Sequence, residues 1–169
     1  MNKRQETKFA GDPITLIGEK ATVGEKAPNF TVQDKDMNPV ELKDFAGKTV
    51  IISVVPSIDT KVCQIQTKTF NERAGEIEGA VVLTISCDLP FAQDRFCAAE
   101  GLDHVKVLSD HKDLSFGEQY GFVIEEMRLL NRGIVIIDKD GVIQYVEYVE
   151  ENTKEPNYDK AIEEAKKLA

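Results

Sequence analysis

No two cysteines of the chain are separated by two residues: Cys63, Cys87 and Cys97 stand 24 and then 10 positions apart. A C-x-x-C dithiol motif and a compact zinc knuckle are thereby excluded. Three cysteines are too few for the disulfide scaffold of a small secreted domain and cannot all pair internally, which leaves catalysis, sensing or burial. Histidine is equally scarce. Only His104 and His111 are available to complete a metal site, and their spacing of seven fits two helical turns loosely. No run of 18 apolar residues occurs, and the polar first eight residues have no apolar stretch behind them. Neither export nor membrane spanning is indicated, and a cytoplasmic location is the expectation. Positive charge is in deficit, 21 Lys and Arg against 30 Asp and Glu for a net charge of −9. Such a surface repels nucleic acid and anionic membrane, so a small neutral substrate suits it better.

What is present is a globular profile, 41% hydrophobic and 30% charged over 169 residues, enough for one core. Residues 13–17 carry strand formers closed by Gly18 and suggest an N-terminal hairpin. Residues 29–33 and 40–42 read as peripheral strands. Residues 49–55, Thr-Val-Ile-Ile-Ser-Val-Val, form the continuous β-branched run of a strand buried on both faces. From Lys61 the apolar period becomes helical, with Gly75 and Gly79 marking the exit. A second inner strand over 80–87 is followed by a helix that Pro90 opens and Gly101 ends. A short strand at 105–108, a short helix at 114–120, and a strand at 133–138 come next. Lys139-Asp140-Gly141 then turns into a strand at 142–149, and the stripe Tyr158, Ala161, Ile162, Ala165, Leu168 predicts a closing helix. No linker or repeat interrupts residues 1–169. The expectation is one α/β domain, a thioredoxin-like three-layer sandwich with a central mixed sheet and an N-terminal β-hairpin. The acidic run Glu147, Glu150, Glu151, Glu155 reads as a solvated face.

In open α/β sheets reactive groups collect beyond the carboxyl ends of the strands. Cys63 falls there: Pro56 stops a central strand, Asp59 or Thr60 offers an N-cap, and Cys63 enters the first helical turn. Helix-start amides favour an anion, and the thiolate is the nucleophilic form of cysteine. The same position suits an inert thiol packed against the sheet, and placement alone does not choose between the two. Cys87, in phase with Leu83 and Ile85, reads as a buried free thiol.

The string P-x-x-x-T-x-x-C formed by Pro56, Thr60 and Cys63 resembles the active-site signature of the peroxiredoxins. Together with Asp88-Leu89-Pro90-Phe91-Ala92-Gln93 leading to Arg95-Phe96-Cys97, it is similar to the bacterial thiol peroxidase subfamily, the atypical two-cysteine type. Ser109-Asp110-His111, Ser115-Phe116-Gly117, Arg128-Leu129-Leu130 and Pro156-Asn157-Tyr158 extend the likeness over residues 11–168.

The resemblance implies that Cys63 attacks peroxide and becomes a sulfenic acid, and that Cys97 resolves it as an intramolecular disulfide. It implies a Thr60 hydroxyl bonded to the thiolate and peroxide, a Pro56 that shields the sulfur, and a fixed cation at Arg132. Asn131 and Gly133 flank that arginine where small apolar residues are expected in relatives, and Arg128 is the alternative cation. It further implies hydrogen peroxide and alkyl hydroperoxides as substrates, thioredoxin as reductant, a homodimer, and no metal or organic cofactor. Two cysteines on separate helices rarely meet disulfide geometry, so local unwinding during turnover is expected. Phe91, Tyr120 and Phe122 are candidates either for a pocket wall or for the core. The rival readings are Cys63–histidine hydrolysis and a slow redox sensor.

Overall fold

A computed structural model describes residues 2–168; Met1 and Ala169, the two ends of the expected domain, lie outside the described residues. The chain opens with β1 (Lys3–Phe9) and β2 (Asp12–Ile17), followed by the short β3 (Thr31–Gln33) and β4 (Pro39–Glu41). The central alternation is β5 (Thr49–Val54), α1 (Lys61–Arg73), β6 (Ala80–Ser86), α2 (Pro90–Glu100), β7 (Lys106–Ser109) and α3 (Ser115–Tyr120). Two-residue strands β8 (Val123–Ile124) and β9 (Leu129–Leu130) lead into β10 (Gly133–Ile137), β11 (Ile143–Tyr148) and α4 (Tyr158–Lys166).

Seven strands form a mixed sheet in the order β11-β10-β5-β6-β7-β3-β4, with β5, β6 and β7 parallel and the other pairs antiparallel. Every residue of β5 and β10 is buried, as their continuous apolar runs require. The two parallel crossovers step in one direction, so α1 and α2 share a face. Phe70, Phe96, Ala161 and Ile162 pack there on Ile51, Val82, Ile134 and Ile136. On the opposite face Phe116, Tyr120 and Phe122 cover Ile52, Leu83 and Val135. This is the thioredoxin-like α/β architecture expected, N-terminal hairpin included.

The sequence did not announce a second sheet. Strands β1, β2, β8 and β9 form an antiparallel four-stranded ribbon. In β1 only Thr7 is buried, so its polar string carries no alternation to read. Strands β8 and β9 have two residues each, too short for any periodic signal. The helix expected to run toward Gly75 stops at Arg73 and continues as a 3-10 turn over Ala74–Glu76. Gly101 ends α2 as expected, in the left-handed region at φ 62.

The acidic run is also less idle than a solvated face. Glu151 accepts backbone N–H bonds from Ala10, Gly11 and Thr153 and so clamps the β1–β2 turn. Those bonds hold its carboxyl down at about 2.

Candidate active site

Proline 56 lacks the N–H that would extend β5, and the chain leaves the sheet there into Ser57-Ile58-Asp59-Thr60. Thr60 is the N-cap of α1 through its extended backbone, φ −104 and ψ 149, with no side-chain cap bond. Cys63 follows as the third helical residue. The loop is pinned by Asp88, whose carboxylate accepts from Ser57 Oγ at 2.7 Å and from the Ile58 N–H at 2.8 Å. Ser86 Oγ donates to the same carboxylate at 2.6 Å. The turn that starts α2 is thereby tied to the loop that presents Cys63.

Cys63 is 0% exposed and sits among Val55, Ile58, Ala92 and Phe96. Its Sγ receives the Ser57 N–H at 3.5 Å and Arg132 Nη2 at 3.3 Å. Topology explains the second contact. Strand β10 runs antiparallel to β5 with Gly133 opposite Val54, so the start of one strand lies at the end of the other. Arg132, 2% exposed, is held by Nη1 on Gln66 Oε1 at 3.0 Å and Nε on the Asn152 carbonyl at 2.9 Å. Among the described residues no carboxylate pairs with this buried guanidinium. Its partners are amide oxygens and one sulfur, and a buried cation is costly without a counter-charge. Gly133 is required beside it, because a Cβ there would strike the Glu147 carbonyl and, at 2.6 Å, Phe122 Cε1.

Of the residues expected at the site, the structure joins Cys63 and Arg132, and Pro56 is buried where the chain leaves the sheet. Thr60 departs from expectation. It is exposed, and its hydroxyl donates to the Ser57 carbonyl at 3.1 Å rather than to Cys63. Arg128, the alternative cation, is exposed on the β8–β9 turn at φ 56, far from the role of a buried cation.

Cys97 lies on α2 and is a free, half-buried thiol, as is Cys87. Cys97 packs toward the α1 and α4 face, while its neighbour Phe96 also touches the Cys63 cluster. It lines a cleft of about 640 Å³ with Gln93, Asp94, Leu102, Val107 and Leu108. Burial, followed by Asp94, pushes the Cys97 thiol up. Cys87, expected to be a buried free thiol, is free but lies just past β6 and is only partly covered; burial and the neighbouring Asp110 and Asp88 push its thiol up to about 12.

Tyr120 and Phe122 belong to the core stack with Phe116 and Tyr148, whereas Phe91 is 63% exposed. The imidazole of His111 meets Gln33, and His104 is exposed beyond α2, so neither takes part in the contacts of Cys63. Gln66, Asn152 and the carboxylate of Asp88 also belong to the site, and no sequence motif assigns them a role there. Gln66 alone left a signal, since position i+3 from Cys63 shares its helix face.

The redoxin family profile matches residues 22–162. The chain is 57% identical to a thiol peroxidase of Halalkalibacterium halodurans over 158 residues, 94% of this chain and 95% of that one. It is 52% identical to a thiol peroxidase of Bacillus subtilis over 163 residues, covering 96% and 98%. Among solved structures, a peroxiredoxin-like protein from Aquifex aeolicus superposes with a TM-score of 0.92 at 37% identity, over 100% of both chains. Kinship of this extent along nearly the whole chain makes it a member of the redoxin family, a peroxiredoxin-type enzyme.

Proposed function

We propose that the chain, working as one domain, reduces hydrogen peroxide and alkyl hydroperoxides as part of antioxidant defence. Cys63 sulfur bonds to the nearer peroxide oxygen and the O–O bond breaks. The departing oxygen leaves as water or alcohol once protonated, and the sulfur is oxidised by two electrons to a sulfenic acid. Cys97 then attacks that sulfur; the S–O bond breaks, hydroxide leaves as water, and a Cys63–Cys97 disulfide remains. A dithiol reductant, thioredoxin in this reading, returns both thiols by exchange and is itself oxidised.

The observation that carries the proposal is Arg132 Nη2 at 3.3 Å from Cys63 Sγ in a buried site. A fixed cation there balances a thiolate and polarises a peroxide oxygen placed beside it. Pro56 keeps water from the sulfur. Thr60 reaches the peroxide only after its hydroxyl leaves the Ser57 carbonyl, a rotation about one side-chain bond. A reducing cytoplasm suits an enzyme that must start each cycle with free thiols. Leu89 and Phe91, 51% and 63% exposed, offer apolar surface for a second copy in a homodimer.

The test mixes reduced protein with peroxide, times its consumption, and maps the products by mass spectrometry. Consumption far faster than by a free thiol, with a Cys63–Cys97 bond, is expected. A rate equal to that of a free thiol would leave only a sensor. Loss of peroxide consumption on replacing both His104 and His111, alongside its loss in Cys63→Ser, would favour histidine-assisted chemistry at Cys63 instead.

A further inference from the structure

Behind Arg132 lies a pair of buried amides that nothing in the reaction as described requires. Asn131 and Asn152 are both 0% exposed and bond to each other, Asn152 Nδ2 donating to Asn131 Oδ1 at 2.8 Å. Asn152 grips the arginine at two points: its Oδ1 accepts the Arg132 backbone N–H at 2.6 Å and its carbonyl accepts Nε at 2.9 Å. Asn131 Nδ2 donates to the Arg132 carbonyl at 2.8 Å.

The other ends of both amides hold β1. Asn152 donates to the Lys8 carbonyl through its backbone N–H and through Nδ2, each at 2.9 Å. The Thr7 hydroxyl donates to Asn131 Oδ1 at 2.8 Å. All the polar atoms of the Asn152 side chain are thus used, and a satisfied buried network fixes geometry more tightly than its members do separately.

We propose that Asn131 and Asn152 are positioning residues that couple the seating of the N-terminal hairpin to the aim of the Arg132 guanidinium at Cys63. Chemistry fits the arrangement. Arg132 has five donors in a rigid fork, so fixing its backbone N–H and Nε leaves Nη2 one direction, toward Sγ. The hairpin touches no reacting atom and acts only through the amides. The inference rests on the role assigned above to Arg132.

The experiment uses the full chain with four substitutions: Asn152→Ala, Thr7→Val, Thr7→Ser and Arg132→Met. Two rate constants are measured for each, oxidation by hydrogen peroxide and alkylation by iodoacetamide, alongside thermal unfolding. Asn152→Ala is expected to slow peroxide attack by roughly 10- to 100-fold, the scale of a misplaced catalytic group. Thr7→Val should slow it roughly two- to tenfold, the worth of one hydrogen bond, and Thr7→Ser should restore it.

Alkylation should fall less than peroxide attack, because an alkylating agent does not need a cation aimed at a peroxide oxygen. Equal losses in both reactions would mark a merely structural defect and overturn the inference, as would an Asn152→Ala rate within twofold of the parent. If Arg132→Met itself left peroxide attack intact, the role of Arg132 would fail first. Should Asn152→Ala not fold, the Thr7→Val and Thr7→Ser pair decides alone, with absence of a difference between them counting against the coupling.

Discussion

Arg132 Nη2 touches Cys63 Sγ across 69 residues of sequence, and the guanidinium has no carboxylate to neutralise it among the described residues. Replacing it by methionine keeps an unbranched apolar stem and removes the charge and its donors. Peroxide attack by Arg132→Met should fall roughly 100- to 1,000-fold, the usual cost of losing one preorganised donor. Arg128→Met, on an exposed turn, should stay within about twofold. Stopped-flow peroxide consumption measures both, and the reverse ranking would move the cation to Arg128.

In the proposed reaction Cys97 carries the second half of the cycle. Cys97→Ser should complete one fast turnover, then stall with a sulfenic acid at Cys63 that dimedone traps. In the parent, the Cys97 thiol is pushed up by burial and by Asp94, so its thiolate is scarce at neutral pH while α2 is folded. Disulfide formation should therefore accelerate as pH rises, seen by rapid-quench alkylation and mass spectrometry. Sustained cycling of Cys97→Ser with a dithiol reductant would remove Cys97 from the reaction.

Asp88 fastens the Cys63 loop to the start of α2 through Ser57 and Ile58. Asp88→Ala should loosen both. Disulfide formation should quicken roughly three- to tenfold while the first attack on peroxide slows by a similar factor, since the two hydrogen bonds to the Cys63 loop are lost along with that from Ser86. Slowing of both steps would show that the clamp does not restrain α2.

Asp110 sets a pH dependence of stability. Burial raises its carboxyl from 3.8 to about 6, against the lowering effect of N–H bonds from Gly117 and Phe116. A folded value above the unfolded one means that its stabilising contribution is complete below 3.8 and is lost as pH rises toward about 6. Between about pH 4 and 7 this group should cost the parent up to about 3 kcal/mol, and the slope should flatten in Asp110→Asn. Denaturant unfolding across that range measures it.

The legible parts of the sequence were those with a local cause. The β-branched run of Thr49–Val54, the proline that stops it and the cysteine one turn into α1 are neighbours in the chain, and each follows from propensity. Only resemblance points to Arg132, because no local rule reveals which strand end an arginine will share. Asn152 was invisible for the same reason: it stands in an acidic stretch, and its burial depends on a hairpin from the far end of the chain. Thr60 misled through its hydroxyl, which a nearby carbonyl claims in place of the sulfur. The second sheet left no trace because strands of two residues have no period.

The antiparallel pairing of β5 with β10 has a consequence for synthesis. Chains emerge from the ribosome amino end first, so Cys63 is translated well before Arg132 and Asn152. Until β10 docks against β5 and the segment after β11 closes over Lys8, the nascent thiol lacks its cation, although the residues that cover it, Val55, Ile58, Ala92 and Phe96, are already made. In the proposed reaction the thiol gains its cation only once the late-made Arg132 and Asn152 have folded back on β5 and β1, which ties a late step of folding to the onset of the chemistry.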